Sequence, residues 1–239
     1  MSYKLKITVD NHDIDYCGIV RPSSMMRYMQ SAATRHLDSV HPNSDEMRRD
    51  LDLAFILSRA NMSIYRSLHK DDEIYVETWP CEGKGASYMR CARILTTDGD
   101  LVSEMVTRWA LVEISTKRLV RCSDFTLSLE NGEMLELGTP RPAITRDTSF
   151  SLLGERTVTY AQTDINGHMN NTYYADMFCD FLDIKDQMVA RFCIAYLSEA
   201  PMGETLKIYK APSENGTLFK SVREDGSTNA EAEIILDSI

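Results

Sequence analysis

A weak internal repeat is the feature that most constrains what this chain folds into. Residues 62–80 (MSIYRSLHKDDEIYVETWP) and 194–212 (IAYLSEAPMGETLKIYKAP) lie 132 positions apart, and each runs from an apolar strand through a turn into a second strand. Upstream, residues 15–29 align with residues 164–178 at an offset of 149. Two pairs coincide there, Asp15 with Asp164 and Gly18 with Gly167. The common order of elements predicts a duplicated structural unit.

The offset shrinks from 149 to 132, so the first copy holds about 17 extra residues between its helix and the next strand. They fall within residues 39–58, where Asn43 is followed three residues later by Glu46. This spacing is typical of a capping box at the start of a helix. The insert is therefore predicted to add a short helix to the first copy.

Each copy is predicted to contain a strand, a helix and several further strands. The first helix is predicted over 22–38, because proline is tolerated in a first helical turn, and the second over 171–182. The second is apolar around most of its circumference, which indicates a buried helix. A buried helix wrapped by an antiparallel sheet is the hotdog architecture. The predicted fold is thus α+β, a tandem (double) hotdog in which two antiparallel sheets, joined edge to edge, each wrap a central helix.

The two copies define the predicted domains. The N-terminal domain covers 1–137, the C-terminal domain covers 147–239, and the linker covers 138–146. The linker begins GTPRPAIT, whose two prolines disfavour both a helix and a central strand.

Composition and charge exclude several classes of function. A net charge of −10 disfavours nucleic-acid binding, which depends on neutralising phosphates. There is no run of about 18 apolar residues to span a membrane, and no apolar segment of a signal peptide. The six cysteines show no CxxC pair and no metal-ligand spacing. We therefore expect a cytoplasmic protein with reduced thiols, without a metal and without a nucleic-acid or membrane partner.

The segment from Thr163 to Asn171 contains the most informative set of polar residues. Asp164, Asn166 and His168 alternate immediately before the second helix. In an extended segment alternate residues share one face, so these side chains are predicted to converge on a pocket. The helix start offers free N–H groups that stabilise an oxyanion in acyl transfer. On spacing alone, a histidine that only stabilises the turn remains an equal alternative.

No nucleophile motif accompanies this segment. The chain has no GxSxG elbow, and no cysteine lies within the DxNxH run. Attack by an activated water is thus favoured over a covalent acyl-enzyme.

At these residues the chain resembles the acyl-ACP thioesterase family, double-hotdog enzymes that release fatty acids from acyl carrier protein (ACP). DINGHMNN resembles the family's catalytic DxNxHxNN motif, VRPSSMMRYMQSAA its first helix, and TRWALVEISTKRLVR its signature strand in the first copy. The resemblance covers nearly the whole chain, in the same order.

The resemblance implies roles for particular residues. Asp164 would orient Asn166 and His168, which would contact the thioester and the attacking water. Glu199 aligns with a catalytic glutamate in a family motif of the form EYRREC, and would activate the water as a general base. Ala200 stands where plant members have cysteine, which argues against an obligatory thiol. An exposed glutamate at a strand end is the alternative for Glu199.

The first copy lacks these groups, so one active site per chain is predicted. Cys17, Ile19 and Ser67 take the places of Asn166, His168 and Glu199. As the family implies, the first copy would shape the acyl pocket. Its methionines either line that pocket or fill the core. The predicted substrate-binding residues are Gly167, Met169, Asn170, Met25, Met26 and Met29.

The function implied is hydrolysis of fatty acyl-ACP to free fatty acid and carrier thiol, a step of fatty acid biosynthesis. The partner is an acyl carrier protein with its phosphopantetheine-linked acyl chain, and no cofactor is needed. An acyl-CoA thioesterase, a hotdog dehydratase or hydratase, and a non-catalytic acyl-binding protein remain alternatives. Chain-length preference, the carrier-docking surface and the choice between monomer and homodimer stay open.

Overall fold

A computed structural model describes residues 2–238, and these contain three α-helices and eleven strands. The helices are α1 (Pro22–Asp38), α2 (Ser44–Asp50) and α3 (Tyr173–Cys179). The strands of the first half of the chain are β1 (Tyr3–Thr8), β2 (Leu53–Ile64), β3 (Glu73–Lys84), β4 (Ser87–Thr96), β5 (Leu101–Glu113) and β6 (Leu119–Val120). Those of the second half are β7 (Ser151–Thr157), β8 (Gln187–Tyr196), β9 (Thr205–Pro212), β10 (Thr217–Val222) and β11 (Thr228–Ser238).

All eleven strands belong to one sheet, in the order β1-β3-β4-β5-β2-β8-β11-β10-β9-β7, with β6 paired to β5. Every pairing between these strands is antiparallel. A largely antiparallel sheet with few helices fits the hotdog fold. The two predicted sheets form one continuous sheet, because β2 and β8 hydrogen-bond along the edges at which the halves meet.

The two halves are related by an approximate twofold axis through the β2–β8 pair. The first half has the strand order β1-β3-β4-β5-β2, and β7-β9-β10-β11-β8 repeats it in the second. Asn61 of β2 lies opposite Cys193 of β8, and these residues are separated by the 132-residue offset of the repeat. A residue that pairs with its own counterpart marks an isologous contact, as at a symmetric dimer interface.

Equivalent backbone hydrogen bonds confirm both offsets of the repeat. The Val20 N–H donates to the Leu68 carbonyl at 2.8 Å, and the Met169 N–H donates to the Ala200 carbonyl at 2.8 Å. In each half the donor lies before the helix, where the two copies are 149 residues apart. The acceptor lies after β2 or β8, where the copies are 132 residues apart. The duplication is therefore a property of the three-dimensional structure as well as of the sequence.

The predicted helices are confirmed in their positions, and one differs in its ends. Helix α1 has the predicted bounds, and α2 begins at a capping box in which Asn43 Oδ1 accepts from the Glu46 N–H at 2.9 Å. Helix α3 is shorter than the predicted 171–182. Its flanking residues form tighter turns, in which the Tyr173 N–H donates to the Asn170 carbonyl at 3.0 Å, three residues back.

The helices bury their apolar faces in a core shared by both halves. In α3 the ring of Phe178 stacks on Phe219 of β10 with ring centroids 5.1 Å apart. Helix α1 contributes side chains at helical spacing to the same core, namely Met25, Met26, Met29 and Ala32. This packing fixes both helices against one face of the sheet.

The fully buried Asn61 ties the linker to the centre of the sheet. Its Nδ2 donates to the carbonyls of Leu137 at 2.9 Å and Gly138 at 3.2 Å, and its Oδ1 accepts from Arg191 Nε at 3.1 Å. One side chain therefore joins β2, β8 and the segment between the halves.

We expect Asn61→Ala to lower the free energy of unfolding by about 2 kcal/mol, because it leaves several polar groups without their partner at a buried position. Urea unfolding followed by circular dichroism measures this change. Asn215→Ala, in the exposed turn before β10, is the control and should change stability by less than about 0.5 kcal/mol. Equal stability of the two variants would contradict the anchoring role.

Candidate active site

The segment that carries Asp164, Asn166 and His168 is a tight turn. The Asp164 N–H donates to the His168 carbonyl at 3.0 Å, and the Gly167 N–H donates to the Asp164 carbonyl at 2.9 Å. Gly167 has a φ of +75°, in the left-handed region that glycine adopts without strain. The expectation of an extended segment is wrong, so strand alternation is not what orients these side chains.

This turn packs alongside the turn that joins β8 to β9. The Met169 N–H donates to the Ala200 carbonyl at 2.8 Å, and the Met202 N–H donates to the Gly167 carbonyl at 3.1 Å. These bonds bring two distant parts of the sequence together and place His168 beside Glu199. His168 Nε2 lies 3.4 Å from Glu199 Oε2.

The His168–Glu199 pair is open to solvent on one side. The side chain of His168 is 31% exposed and that of Glu199 is 54% exposed. A carboxylate next to an imidazole can accept a proton from water and pass it on. Because both groups are accessible, a water molecule and a substrate can reach them together.

Asp164 organises the backbone of the turn. Its Oδ1 accepts from the backbone N–H of Asn166 at 2.8 Å, and it reaches no other side chain by a hydrogen bond within residues 2–238. Asp15 makes the equivalent bond to the N–H of Cys17 at 2.8 Å in the first half. The aspartate thus shapes the turn in both halves, which explains why it persists where the other groups are replaced.

The side chain of Asn166 is held from the first half of the chain. Its Oδ1 accepts from Nη2 of Arg48 at 2.9 Å. Arg48 lies on α2, the short helix that only the first half possesses. A residue from the insert therefore contacts a predicted catalytic residue 118 positions away.

The predicted substrate-binding residues of this segment have structural roles in the turn. Met169 is buried in the core. Asn170 Oδ1 accepts from the Thr172 N–H at 3.0 Å and from Thr172 Oγ1 at 2.8 Å, just before α3. Gly167 supplies the left-handed turn. Contacts of these residues with substrate stay a prediction.

A cavity of about 500 Å³ lies in the first half, and its wall includes Arg48, the residue that bonds Asn166. None of Asp164, Asn166, His168 and Glu199 lines it. Helix α1 lines it with Gln30, Ala33, Thr34 and Leu37, and further walls come from α2, β2, β4 and the segment 122–131. Such a volume is typical of a small-ligand site. The apolar part of its lining includes Met47, Leu53, Phe55, Trp109, Phe125, Leu127 and Leu129.

The methionines predicted to line the acyl pocket are buried in the core beneath α1. The exposed fraction of Met25, Met26 and Met29 is at most 1%, and none of them lines this cavity. Residues four apart share a helix face, so the spacing that groups these three points them into the core. These three methionines are therefore core residues and not wall residues of the large cavity.

Beside the turn of the first half that corresponds to the Asp164–His168 turn, there is almost no space. Asp15, Ile19 and Ser67 border a cavity of only about 20 Å³. Its other wall comes from the second half, at Ile184, Gln187, Met188 and Val189. The first half therefore has the turn without the predicted catalytic groups, and with only about 20 Å³ of space directly beside it.

Comparison with known proteins identifies the family. The acyl-ACP thioesterase N-terminal domain matches residues 1–128, and the acyl-ACP thioesterase C-terminal domain matches residues 146–237. The chain belongs to the acyl-ACP thioesterase family. This membership makes it a thioester hydrolase that acts on acyl-ACP.

Solved structures share the fold of this thioesterase across its whole length. An acyl-ACP thioesterase from Bacteroides thetaiotaomicron matches with a TM-score of 0.89 and 18% identity, over 99% of this chain and 98% of that one. The 12:0-ACP thioesterase from Umbellularia californica matches with a TM-score of 0.77 and 16% identity, over 100% of this chain and 98% of that one. No curated protein matches the sequence.

In the part of the chain that the structure describes, no helix is both long enough and apolar enough to cross a bilayer.

Arg48 is the residue of the thioesterase site that was not predicted from the sequence. No motif surrounds it, and the contact with Asn166 depends on how the halves dock. The available signal was the insert itself, because a segment present in one copy is a candidate for a function that only one site performs.

One wall of the thioesterase cavity carries a partly buried cation, Arg90. Nη1 of Arg90 donates to Thr78 Oγ1 at 3.1 Å and lies 3.3 Å from His36 Nδ1. Burial lowers the pKa of Arg90 to about 10, so it stays charged at neutral pH. Burial and the Arg90 cation lower the pKa of His36 to about 4. His36 is thus neutral and accepts at Nδ1, since a guanidinium has no acceptor.

His36 should make folding stability depend on pH between about 6.5 and 4. In this window the unfolded chain binds the His36 proton and the folded chain does not, so stability falls as the pH falls. We expect wild type to lose about 2 kcal/mol more than His36→Phe between these limits. Urea unfolding at a series of pH values measures the difference. Parallel pH profiles for the two proteins would refute the assignment.

Proposed function

We propose that the turn bearing His168 and Asn166, together with Glu199, is the catalytic site at which water cleaves fatty acyl-ACP. The observation that carries the proposal is the 3.4 Å approach of His168 Nε2 to Glu199 Oε2, across two turns that are distant in sequence. The family resemblance predicts these same residues. The products are a free fatty acid and the thiol of the carrier's phosphopantetheine arm.

In the proposed reaction Glu199 removes a proton from water as the water oxygen attacks the thioester carbonyl carbon. The amide of Asn166 donates to the oxygen that becomes negatively charged, and so stabilises the tetrahedral intermediate. The C–S bond then breaks, and the proton taken by Glu199 is transferred through His168 to the leaving sulfur. Asp164 positions Asn166 through its bond to the backbone N–H.

The cavity in the first half is the proposed site of the acyl chain. It has an apolar lining, its volume of about 500 Å³ suits a flexible chain, and Arg48 borders both the cavity and Asn166. The thioester would lie near Arg48, with the acyl chain in the first half and the carrier outside.

We also propose the finer description of the fold, a tandem hotdog with α1 and α3 as the central helices. Each half of the sheet has one such helix, and both helices bury apolar faces in the common core. The internal pairing of the halves supplies the contact that single-hotdog subunits make as dimers, so one chain contains a whole site.

We expect His168→Ala to lower the turnover of acyl-ACP by about 10²–10⁴-fold, because it removes the group that relays the proton. Release of carrier thiol, followed with a disulfide dye, measures turnover on matched acyl-ACP and acyl-CoA substrates. His69→Ala is the control, since His69 is exposed in the turn between β2 and β3 of the first half. Near wild-type turnover in a folded His168→Ala protein would remove this residue from the mechanism, and faster cleavage of acyl-CoA would reassign the carrier.

We expect Glu199→Gln to lower turnover by about 10²-fold or more, because the amide cannot accept the proton from water. Glu214→Gln, at an exposed turn residue before β10, should keep wild-type turnover. Glu204 is unsuitable as a control, because its side chain is 9% exposed and pairs with Arg223 Nε at 2.7 Å. Equal rates for Glu199→Gln and Glu214→Gln would leave the general base unassigned.

A further inference from the structure

We propose that Arg48 of helix α2 is a positioning residue that holds the Asn166 amide with its NH₂ group toward the thioester. This inference rests on the proposed function, because it assigns Asn166 the donor role in that reaction. The observation is the bond from Arg48 Nη2 to Asn166 Oδ1 at 2.9 Å.

The chemistry of arginine fixes which end of the amide faces which way. A guanidinium has only donors, so the atom it contacts must be the amide oxygen. Rotating the amide by half a turn would set its NH₂ against the N–H of Arg48, two donors facing each other. The Nδ2 hydrogens of Asn166 therefore remain free for the carbonyl oxygen of a substrate.

Arg48 is the one side chain that holds the Asn166 amide by a hydrogen bond within residues 2–238. Asn166 lies on an exposed turn, where an unrestrained side chain samples several rotamers. A donor that stabilises an oxyanion is effective when it is already aimed at the developing charge. Without Arg48, the turn fixes the Asn166 backbone and leaves its amide free to rotate.

Helix α2 offers a firm base for this contact. Its first turn is closed by the reciprocal bonds between Asn43 and Glu46, and the neighbouring Met47 is 2% exposed and anchors the helix in the protein. Arg48 follows this anchor directly. Its side chain reaches from a fixed helix to the turn of the other half.

The approximate symmetry of the halves shows what the insert adds. The segment that precedes β8 packs beside the turn of the first half, where Ile184 borders the cavity of about 20 Å³. The segment that precedes β2 contains α2, which lies beside the Asp164–His168 turn of the second half. It supplies Arg48 to the turn of the second half and also borders the large cavity of the first half. Cys17 replaces Asn166 in the first half, so no amide needs such a partner there.

The test compares Arg48→Met with Arg49→Met in the full-length protein. Arg49 is adjacent on the same helix and pairs with Asp50 at 2.7 Å, so its loss controls for charge and helix content. We expect Arg48→Met to lower kcat on acyl-ACP about 10-fold with little change in KM, because the lost interaction acts in the transition state. Arg48→Lys should recover part of the rate, and Arg49→Met should match wild type.

A double-mutant cycle with Asn166→Ala separates positioning from other roles. If Arg48 acts through Asn166, Arg48→Met has no further effect on kcat once the amide is gone. An equal loss of rate in both backgrounds would overturn the proposal. A rise in KM with unchanged kcat would also overturn it, and would make Arg48 a substrate-binding residue.

A measurement without substrate keeps this inference distinct from the proposed function. In ¹⁵N-labelled protein, the side-chain NH₂ signal of Asn166 reports how rigidly the amide is held. We expect its order parameter to fall in Arg48→Met and to stay unchanged in Arg49→Met. An unchanged order parameter in Arg48→Met refutes the positioning role, whether or not the protein cleaves acyl-ACP. Wild-type protein that releases no thiol would instead refute the proposed function.

Discussion

The antiparallel pairing of β2 with β8 is the contact on which the rest of the structure depends. It joins two equivalent half-sheets into one, and its register sets Asn61 against its own counterpart, Cys193. The segment before β2 is thereby directed to the Asp164–His168 turn of the second half. The segment before β8 is directed to the equivalent turn of the first half. A shift of this pairing by one residue would reverse every side chain on one strand and separate Arg48 from Asn166.

The active-site turn is one backbone design used twice with different side chains. In both halves an aspartate accepts from the N–H two residues on, and the residue after the turn donates to a carbonyl in the loop beyond the central strand. The backbone of the turn therefore does not distinguish the two halves. The difference lies in the side chains, because the proposed catalytic residues Asn166, His168 and Glu199 are replaced by Cys17, Ile19 and Ser67 in the first half.

Local signals in the sequence predicted the elements better than their ends or their assembly. Helix α1 and the capping box of α2 follow from residues adjacent in sequence, so both could be predicted. The ends of α3 depend on turns that Asn170 forms with Thr172 and Tyr173, which a periodic pattern does not reveal. The DxNxH residues were found by their types, while the tight turn that presents them requires tertiary hydrogen bonds. Arg48 could not be predicted, because its contact forms between halves.

The asymmetry of this duplicated protein is concentrated in one insert. A chain with two identical halves would carry segments of the same length before β2 and β8, and the segment before β8 is short and borders a cavity of only about 20 Å³ at Ile184. The insert lengthens one of these segments into α2, which borders the cavity of about 500 Å³ and positions an arginine at the turn of the second half. The proposed acyl site and the partner of Asn166 thus share one helix. Changes in α2 should then affect both the walls of this cavity and the orientation of the Asn166 amide, since Met47 and Arg48 are consecutive residues on the same anchored helix.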